Sequence, residues 1–219
     1  MGSGSTPKQY LSIAGEPILA RSIAAFLHHP RISEVVVVLP PDDVRDPPAW
    51  LGALPVERVA GGAERGDSVW NGLQALSPDV ELVLVHDAAR PLVDGETIDR
   101  VVIASEAGAV IAAVAATDTL KEVDGNGAVL RTLDRAMIWQ AQTPQGFPRA
   151  LLLDVHRRAR IDGVRGTDDA ALCERYGIPV RIVEGSYDNI KITRPEDLSI
   201  AEALARRSGD ESRAAEEGA

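Results

Sequence analysis

Short, nearly continuous aliphatic runs alternate along this chain with segments of helical spacing, and that alternation narrows the possible folds more than any other feature. Glu34 to Leu39 (EVVVVL), Glu81 to His86 (ELVLVH) and Ala109 to Val114 (AVIAAV) are the strong runs; Val56 to Ala60 and Val180 to Val183 are weaker ones. Ile18, Leu19, Ile23, Phe26 and Leu27 define one face of a helix opened by Pro17. Val69, Leu73 and Leu76 define a second, and Ile98, Val101, Val102 and Ser105 a third. Strand–helix–strand alternation calls for right-handed crossovers and a doubly wound, mostly parallel α/β sheet. Runs that are apolar on both faces fit strands covered by helices on both sides.

At 219 residues the chain suits one large α/β domain. Hydrophobic residues make up 45% and aromatics only 4%, so the core is built from Val, Leu, Ile and Ala. A net charge of -10 argues against nucleic acid or an anionic membrane as the main partner, though not against a small anionic substrate in a locally basic cleft. The single cysteine, Cys173, excludes an internal disulfide and fits a reducing cytoplasm. No run is long enough to span a bilayer, and the first ten residues lack a signal-peptide layout. With four His and one Cys, no zinc-type cluster is present, so a divalent ion would rely on carboxylates and substrate phosphates.

Two further helices have boundary signals: Thr167-Asp168-Asp169 as a cap with Gly177 as the stop, and Thr193 with Pro195-Glu196-Asp197 opening the last helix. Residues 1–207 read as one domain, and residues 208–219 as an acidic, disordered tail. Thr117 to Val123 and Ala128 to Leu133 flank Asp-Gly-Asn-Gly, a strong hairpin signal. An isolated two-stranded ribbon is marginal in water, which favours an arm (residues 117–135) packing on a second subunit over a bare surface flap.

Several segments carry candidate chemistry, each with an ordinary structural reading beside it. His86-Asp87-Ala88-Ala89-Arg90-Pro91 follows a strand, where ligands of open α/β sheets bind. There Asp87 can hold a divalent ion or a ribose hydroxyl, and Arg90 a phosphate; a capping Asp and a surface Arg are the plain alternative. Gly61-Gly62 through Ser68 is a turn opening a helix, suited to close backbone approach or simply to loop geometry. Lys8 can offset triphosphate charge or be a solvated terminal lysine, and Lys191 stands near a helix start with the same two readings. Trp139 to Pro148 (WQAQTPQGFP) reads as a connecting loop rich in amide and hydroxyl groups.

PKQYL, GGAERGDSV, VLVHDAARP, DTLK, QTPQGF, TDDA and DNIKITRPEDL occur in this order, and the set closely resembles the 2-C-methyl-D-erythritol 4-phosphate cytidylyltransferase family from about Pro7 to Leu204. The resemblance implies a Rossmann-like nucleotidyltransferase fold, a homodimer made through the arm, and CTP, methylerythritol phosphate and Mg2+ (or another divalent cation) as ligands. By motif, Lys8, Arg135 and Lys191 resemble the catalytic cations. Gly61, Gly62, Ser68, Asp87 and Ala88 resemble the CTP site, with Asp87 also the metal ligand. Arg90, Thr119, Thr143 and Thr167 resemble the acceptor site, Thr119 and Arg135 reaching it from the arm of the neighbouring subunit. The implied reaction needs no acid–base residue, because a phosphate monoester is already a nucleophile near neutral pH.

Family members carry an apolar strand and an A-A-G-x-G-x-R loop before the PKQ segment, whereas here MGSGST runs directly into PKQYL. The resemblance therefore implies that Met1 is an internal methionine of a longer protein, or else that the chain is a real truncation that is poorly folded or inactive. It also implies that the shorter form has two unpaired strand edges and turns over about a thousand-fold more slowly. Two other functions remain open at this point: a ribitol 5-phosphate cytidylyltransferase, and a nucleotide-binding relative with little activity.

Overall fold

In the computed structural model, which describes residues 7–217 and side chains through residue 207, the chain is built of helices packed on a divided sheet. The domain's first six residues and the last two of the acidic segment lie outside that description. In order, the elements are β1 (Ser12–Ile13), β2 (Glu16–Pro17), α1 (Ile18–Leu27), β3 (Val36–Leu39), α2 (Pro41–Arg45), α3 (Ala49–Gly52), β4 (Glu57–Ala60) and α4 (Arg65–Ala75). They continue with β5 (Leu82–Val85), α5 (Gly95–Ser105), β6 (Ala109–Ala115), β7 (Lys121–Val123), β8 (Val129–Thr132) and β9 (Trp139–Pro148). The last are α6 (Arg149–Asp162), α7 (Asp169–Arg175), β10 (Val180–Glu184) and α8 (Pro195–Glu217).

Four strands pair in the order β10-β6-β9-β5, and β3 pairs with β4 separately. The β10–β6 and β3–β4 ladders are parallel, as the alternation predicts. The segment at residues 139–148 is a correction: it is not a loop but β9, a strand antiparallel to both β5 and β6. Its polar side chains survive burial because each finds a partner. Gln142 donates to Ser186 O and Gln145 to Asp168 Oδ2, both at 2.8 Å. Gly146 lets α5 rest on the strand, since a Cβ there would come within 2.7 Å of Val101 Cγ1. Next to it Phe147 is fully buried with Leu73, Val83, Leu152 and Val155. Truncating such a side chain typically costs about 3–5 kcal/mol.

Among the described residues, β3 pairs only with β4 and β5 only with β9. Their free edges line one groove of about 420 Å³, walled by Val36–Val38, Leu82–Val85, α1 and α4.

β7 and β8 form the expected hairpin, standing apart as their own two-stranded sheet. Asp124 Oδ1 accepts from the backbone N–H groups of Asn126 and Ala128, and Gly127 adopts φ +84°, which closes the turn. The helix boundaries follow the sequence signals. The side chain of Asp168 caps α7 through Ala171 N–H, and Gly177 leaves it at φ +71°. Asp197 Oδ2 accepts from the N–H groups of Thr193 and Arg194 at the start of α8. That helix continues to Glu217, so the backbone of residues 208–217 is helical rather than the expected disordered tail. The Glu and Arg of this polar segment, with its Ala residues, are also strong helix formers.

Candidate active site

The carboxyl end of β5 delivers His86, Asp87 and Arg90 into a loop that runs against β9 and the segment before α8. His86 Nε2 lies 3.1 Å from Arg90 O, an atom that can only accept, so Nε2 carries the proton. Nδ1 therefore accepts from the Thr143 hydroxyl at 3.0 Å, and Thr143 Oγ1 in turn accepts from Asp87 N–H at 3.0 Å. Burial pushes His86 down to about 4, so it stays neutral and the chain of bonds keeps one polarity at neutral pH. Thr143 is only 5% exposed and its hydroxyl is occupied on both sides. It holds the backbone of Asp87 in place.

Asn189 is fully buried and donates to Thr143 O at 2.8 Å, while Ile192 N–H donates to Ala89 O at 2.8 Å. These bonds lay residues 189–192 along the β5 loop and bring Lys191 Nζ to 2.7 Å from Asp87 Oδ2. Arg90 donates to Asn189 O at 2.6 Å and Ala141 O at 3.3 Å, so its guanidinium clamps the two walls together. Burial pulls the Asp87 carboxyl upward. The hydrogen bond and charge of Lys191, with Arg65 and Arg90, override that and hold it below the usual carboxylate range.

Across the groove, Gly62 N–H donates to Ser68 Oγ at 3.1 Å, and Ser68 Oγ donates to Glu64 O at 3.2 Å. A Cβ on Gly62 would lie 2.2 Å from Asp67 Cβ, and one on Gly61 would lie 2.9 Å from Ser68 Oγ, so the turn requires both glycines. Ser68 lines the same groove as Asp87 and Ala88. Ala88 O is fixed by Ser22 Oγ at 2.8 Å. One wall thus presents a glycine turn and a hydroxyl, the other a carboxylate–ammonium pair, an arrangement suited to a nucleotide and its phosphates.

A sequence model of the 2-C-methyl-D-erythritol 4-phosphate cytidylyltransferase family matches residues 1–207. The chain belongs to that family. The cytidylyltransferase of Syntrophus aciditrophicus is 46% identical over 209 residues, spanning 93% of this chain and 89% of that protein. The crystal structure of the Thermus thermophilus family member superposes with a TM-score of 0.80 at 42% identity, covering 91% of this chain and 94% of that one. The corresponding synthase of Anaerococcus prevotii gives 0.83 at 31% identity, with 89% and 88% covered.

In this member of the cytidylyltransferase family, the sequence-derived residues do not all meet. Asp87, Ala88, Arg90, Thr143 and Lys191 come together at the end of β5, with Gly61, Gly62 and Ser68 across the groove. Thr167 is exposed and immediately precedes the Asp168 cap of α7. Thr119 and Arg135 sit at the base of the arm, where Arg135 Nη1 donates to Thr117 O at 2.8 Å. Lys8 is exposed in a short 3-10 turn over Lys8–Tyr10, and Tyr10 packs on the apolar cluster that also takes Ala88.

Sequence reasoning misses Arg65, the first residue of α4. Its Nη2 donates to Asp169 Oδ2 at 2.8 Å, and Asp169, 0% exposed, also meets His156 Nε2 at 2.8 Å through Oδ1. The available signal is the Glu64-Arg65 pair at a helix start next to the glycine turn. Burial alone would raise the Asp169 carboxyl, but His156 and Arg65 together hold it below the usual carboxylate range. A carboxyl lowered in the folded state stabilises above its unfolded value and stops doing so as pH falls through the folded one. Thermal unfolding should therefore show a steeper loss of stability below about pH 4 in the wild type than in Asp169→Asn. Parallel pH profiles for the two proteins would contradict this assignment.

Proposed function

We infer that this chain transfers the cytidylyl group of CTP to 2-C-methyl-D-erythritol 4-phosphate, giving 4-diphosphocytidyl-2-C-methyl-D-erythritol and pyrophosphate, in non-mevalonate isoprenoid biosynthesis. The observation that carries the site assignment is the Asp87–Lys191 pair at 2.7 Å, held at the end of β5 from two sides. A phosphate oxygen of the acceptor forms a bond to the α-phosphorus of CTP, and the α–β bridging bond breaks as pyrophosphate leaves. Two polyanions must be brought together, so positioning and fixed positive charge supply most of the rate enhancement.

Lys191 holds the acceptor phosphate in line, and Lys8 offsets charge on the triphosphate. Gly61, Gly62 and Ser68 take the cytosine, with Asp87 and Ala88 beside the ribose and phosphates. Thr167 contacts the acceptor, while Thr143 and Arg90 act by fixing the walls against which it lies. The neutral His86 has no proton-transfer role in this scheme.

A divalent cation, Mg2+ in the simplest case, fits this donor set in one way. Among the described residues no group of three or more His, Cys, Asp or Glu could hold a metal ion. Asp87 would therefore bind it together with phosphate oxygens and water, the usual manner for Mg2+. Bound there, it would neutralise phosphate charge.

Residues 1–207 form the catalytic domain, and the arm makes a homodimer in which Thr119 and Arg135 complete the partner's acceptor site. Supporting this, the arm exposes Val129 (60%) and Leu130 (61%), apolar surface that a second subunit would cover. Among the described residues no helix is long and apolar enough to cross a membrane. We place the enzyme in the cytoplasm, where CTP is available and Cys173 remains a thiol.

The test is pyrophosphate release from CTP with methylerythritol phosphate, with ribitol 5-phosphate, and with no acceptor. Release specific to methylerythritol phosphate is expected. A preference for ribitol 5-phosphate, or CTP binding without turnover, would contradict the assignment.

A further inference from the structure

Asp169 presents a physical problem that the reaction described above does not solve. Its carboxylate is fully buried at the start of α7, with His156 of α6 on one oxygen and Arg65 of α4 on the other. A buried ion pair gives little net stability over an apolar packing of the same volume, so stability alone does not account for a charge in this position. The geometry does have a directional consequence. His156, only 2% exposed, orients the carboxylate, and the carboxylate grips one edge of the Arg65 guanidinium. The Arg65 side chain as a whole remains 35% exposed.

Arg65 is part of the site's wall. Arg65 lines the groove with Ser68, His86, Asp87 and Ala88, and it also lines a second cavity of about 400 Å³ with Asp168 and Arg160. Arg160 is already paired with Asp67 at 2.7 Å, and Arg165, also on that rim, with Glu64 at 2.8 Å. Arg65 differs from both: its one ion-paired carboxylate is the buried Asp169, Asp87 and Asp168 act on it through charge alone, and among the described residues its remaining guanidinium N–H groups have no protein acceptor. A planar fork with free donors, held from behind and opening between the glycine turn and the Thr167 loop, has the form of a phosphate-binding group.

We propose that Arg65 is a further substrate-binding residue that donates to a substrate phosphate, and that Asp169 and His156 are positioning residues which aim it. The proposal rests on the cytidylyl-transfer reading. The same phosphate chemistry is offered by CTP and by the phosphorylated acceptor, and the test separates them. The Gln145 side chain ties the arrangement to the sheet, donating to Asp168 Oδ2 and accepting from Ala170 N–H.

The experiment measures kcat and both KM values for wild type, Arg65→Gln, Arg65→Lys and Asp169→Asn, with thermal unfolding of each. Arg65→Gln should raise one KM by about ten-fold or more, the loss of a charge-assisted hydrogen bond, while kcat falls less. Which KM rises identifies the phosphate. Arg65→Lys should recover part of the loss, and Asp169→Asn should raise the same KM as Arg65→Gln. A rise in a KM that Arg65 does not affect would remove the positioning role of Asp169. Both KM values unchanged in Arg65→Gln would overturn the proposal, whatever its melting temperature. Should the wild type show no turnover, the reaction assignment fails. Calorimetric titrations with CTP and with methylerythritol phosphate then decide the proposal alone: weaker binding of one of them by Arg65→Gln supports it, and equal binding of both overturns it.

Discussion

Lys191→Ala should slow cytidylyl transfer by about a thousand-fold, because one fixed positive charge aimed at a reacting phosphate contributes on the order of 3–4 kcal/mol to the barrier. The fold should survive the change. Lys191 is exposed, and its segment is anchored by bonds that do not involve its side chain: Asn189 to Thr143 O, and Ile192 N–H to Ala89 O. A second consequence is local to Asp87. With its ammonium partner gone, the carboxyl loses the strongest of the interactions opposing its burial, and its titration should move upward. Pyrophosphate release and thermal unfolding, measured together, check both parts. Near-normal turnover in a folded variant would remove Lys191 from the site.

Deleting Thr117 through Leu133 and joining the ends should give a monomer with cytidylyl transfer lost by at least about two orders of magnitude. The hairpin stands clear of the rest of the sheet, and the strands on either side of it, β6 and β9, are paired directly, with Ala115 opposite Trp139. The deletion therefore spares the core while removing Thr119 and the carbonyl of Thr117 that orients Arg135. Sedimentation and activity are read on the same sample. Activity retained in a demonstrated monomer would contradict the shared site.

Much of this architecture is legible in local sequence because its causes are local. EVVVVL, ELVLVH and AVIAAV form β3, β5 and β6, and Ile98, Val101, Val102 and Ser105 are all buried on α5, as their spacing requires. The Asp-Gly-Asn-Gly turn works through bonds within five residues of one another. β9 fails the same approach for a clear reason. Gln142, Thr143 and Gln145 look like loop residues until Ser186, His86 and Asp168 are brought beside them, and those partners lie 23 or more positions away. α6 hides in a similar way: its Arg-rich surface masks Leu152, Val155 and Ala159, which form its buried stripe.

The site divides along the same line. Asp87 and Lys191 are recognisable from their motifs, and the structure joins them. Thr143 and Arg90 read as ligand contacts in the sequence; in the fold the Thr143 hydroxyl meets His86 and Asp87, and Arg90 Nη1 and Nη2 donate to Asn189 O and Ala141 O while its Nε has no partner among the described residues. A motif marks a position, but these partners, drawn from the β5 loop, β9 and the segment before α8, are not visible in it. Arg65 escapes for the opposite reason. An arginine at a helix start is ordinary in sequence, and the buried carboxylate that singles it out is 104 positions further on.

The most direct measurement of the central claim is phosphorus NMR of the reaction with CTP, methylerythritol phosphate and Mg2+. The account predicts that the monoester resonance of methylerythritol phosphate is replaced by a pair of coupled diphosphate resonances, with one pyrophosphate released for each product formed. Pyrophosphate appearing with CMP while the monoester resonance stays unchanged, or no change in either substrate, would contradict it.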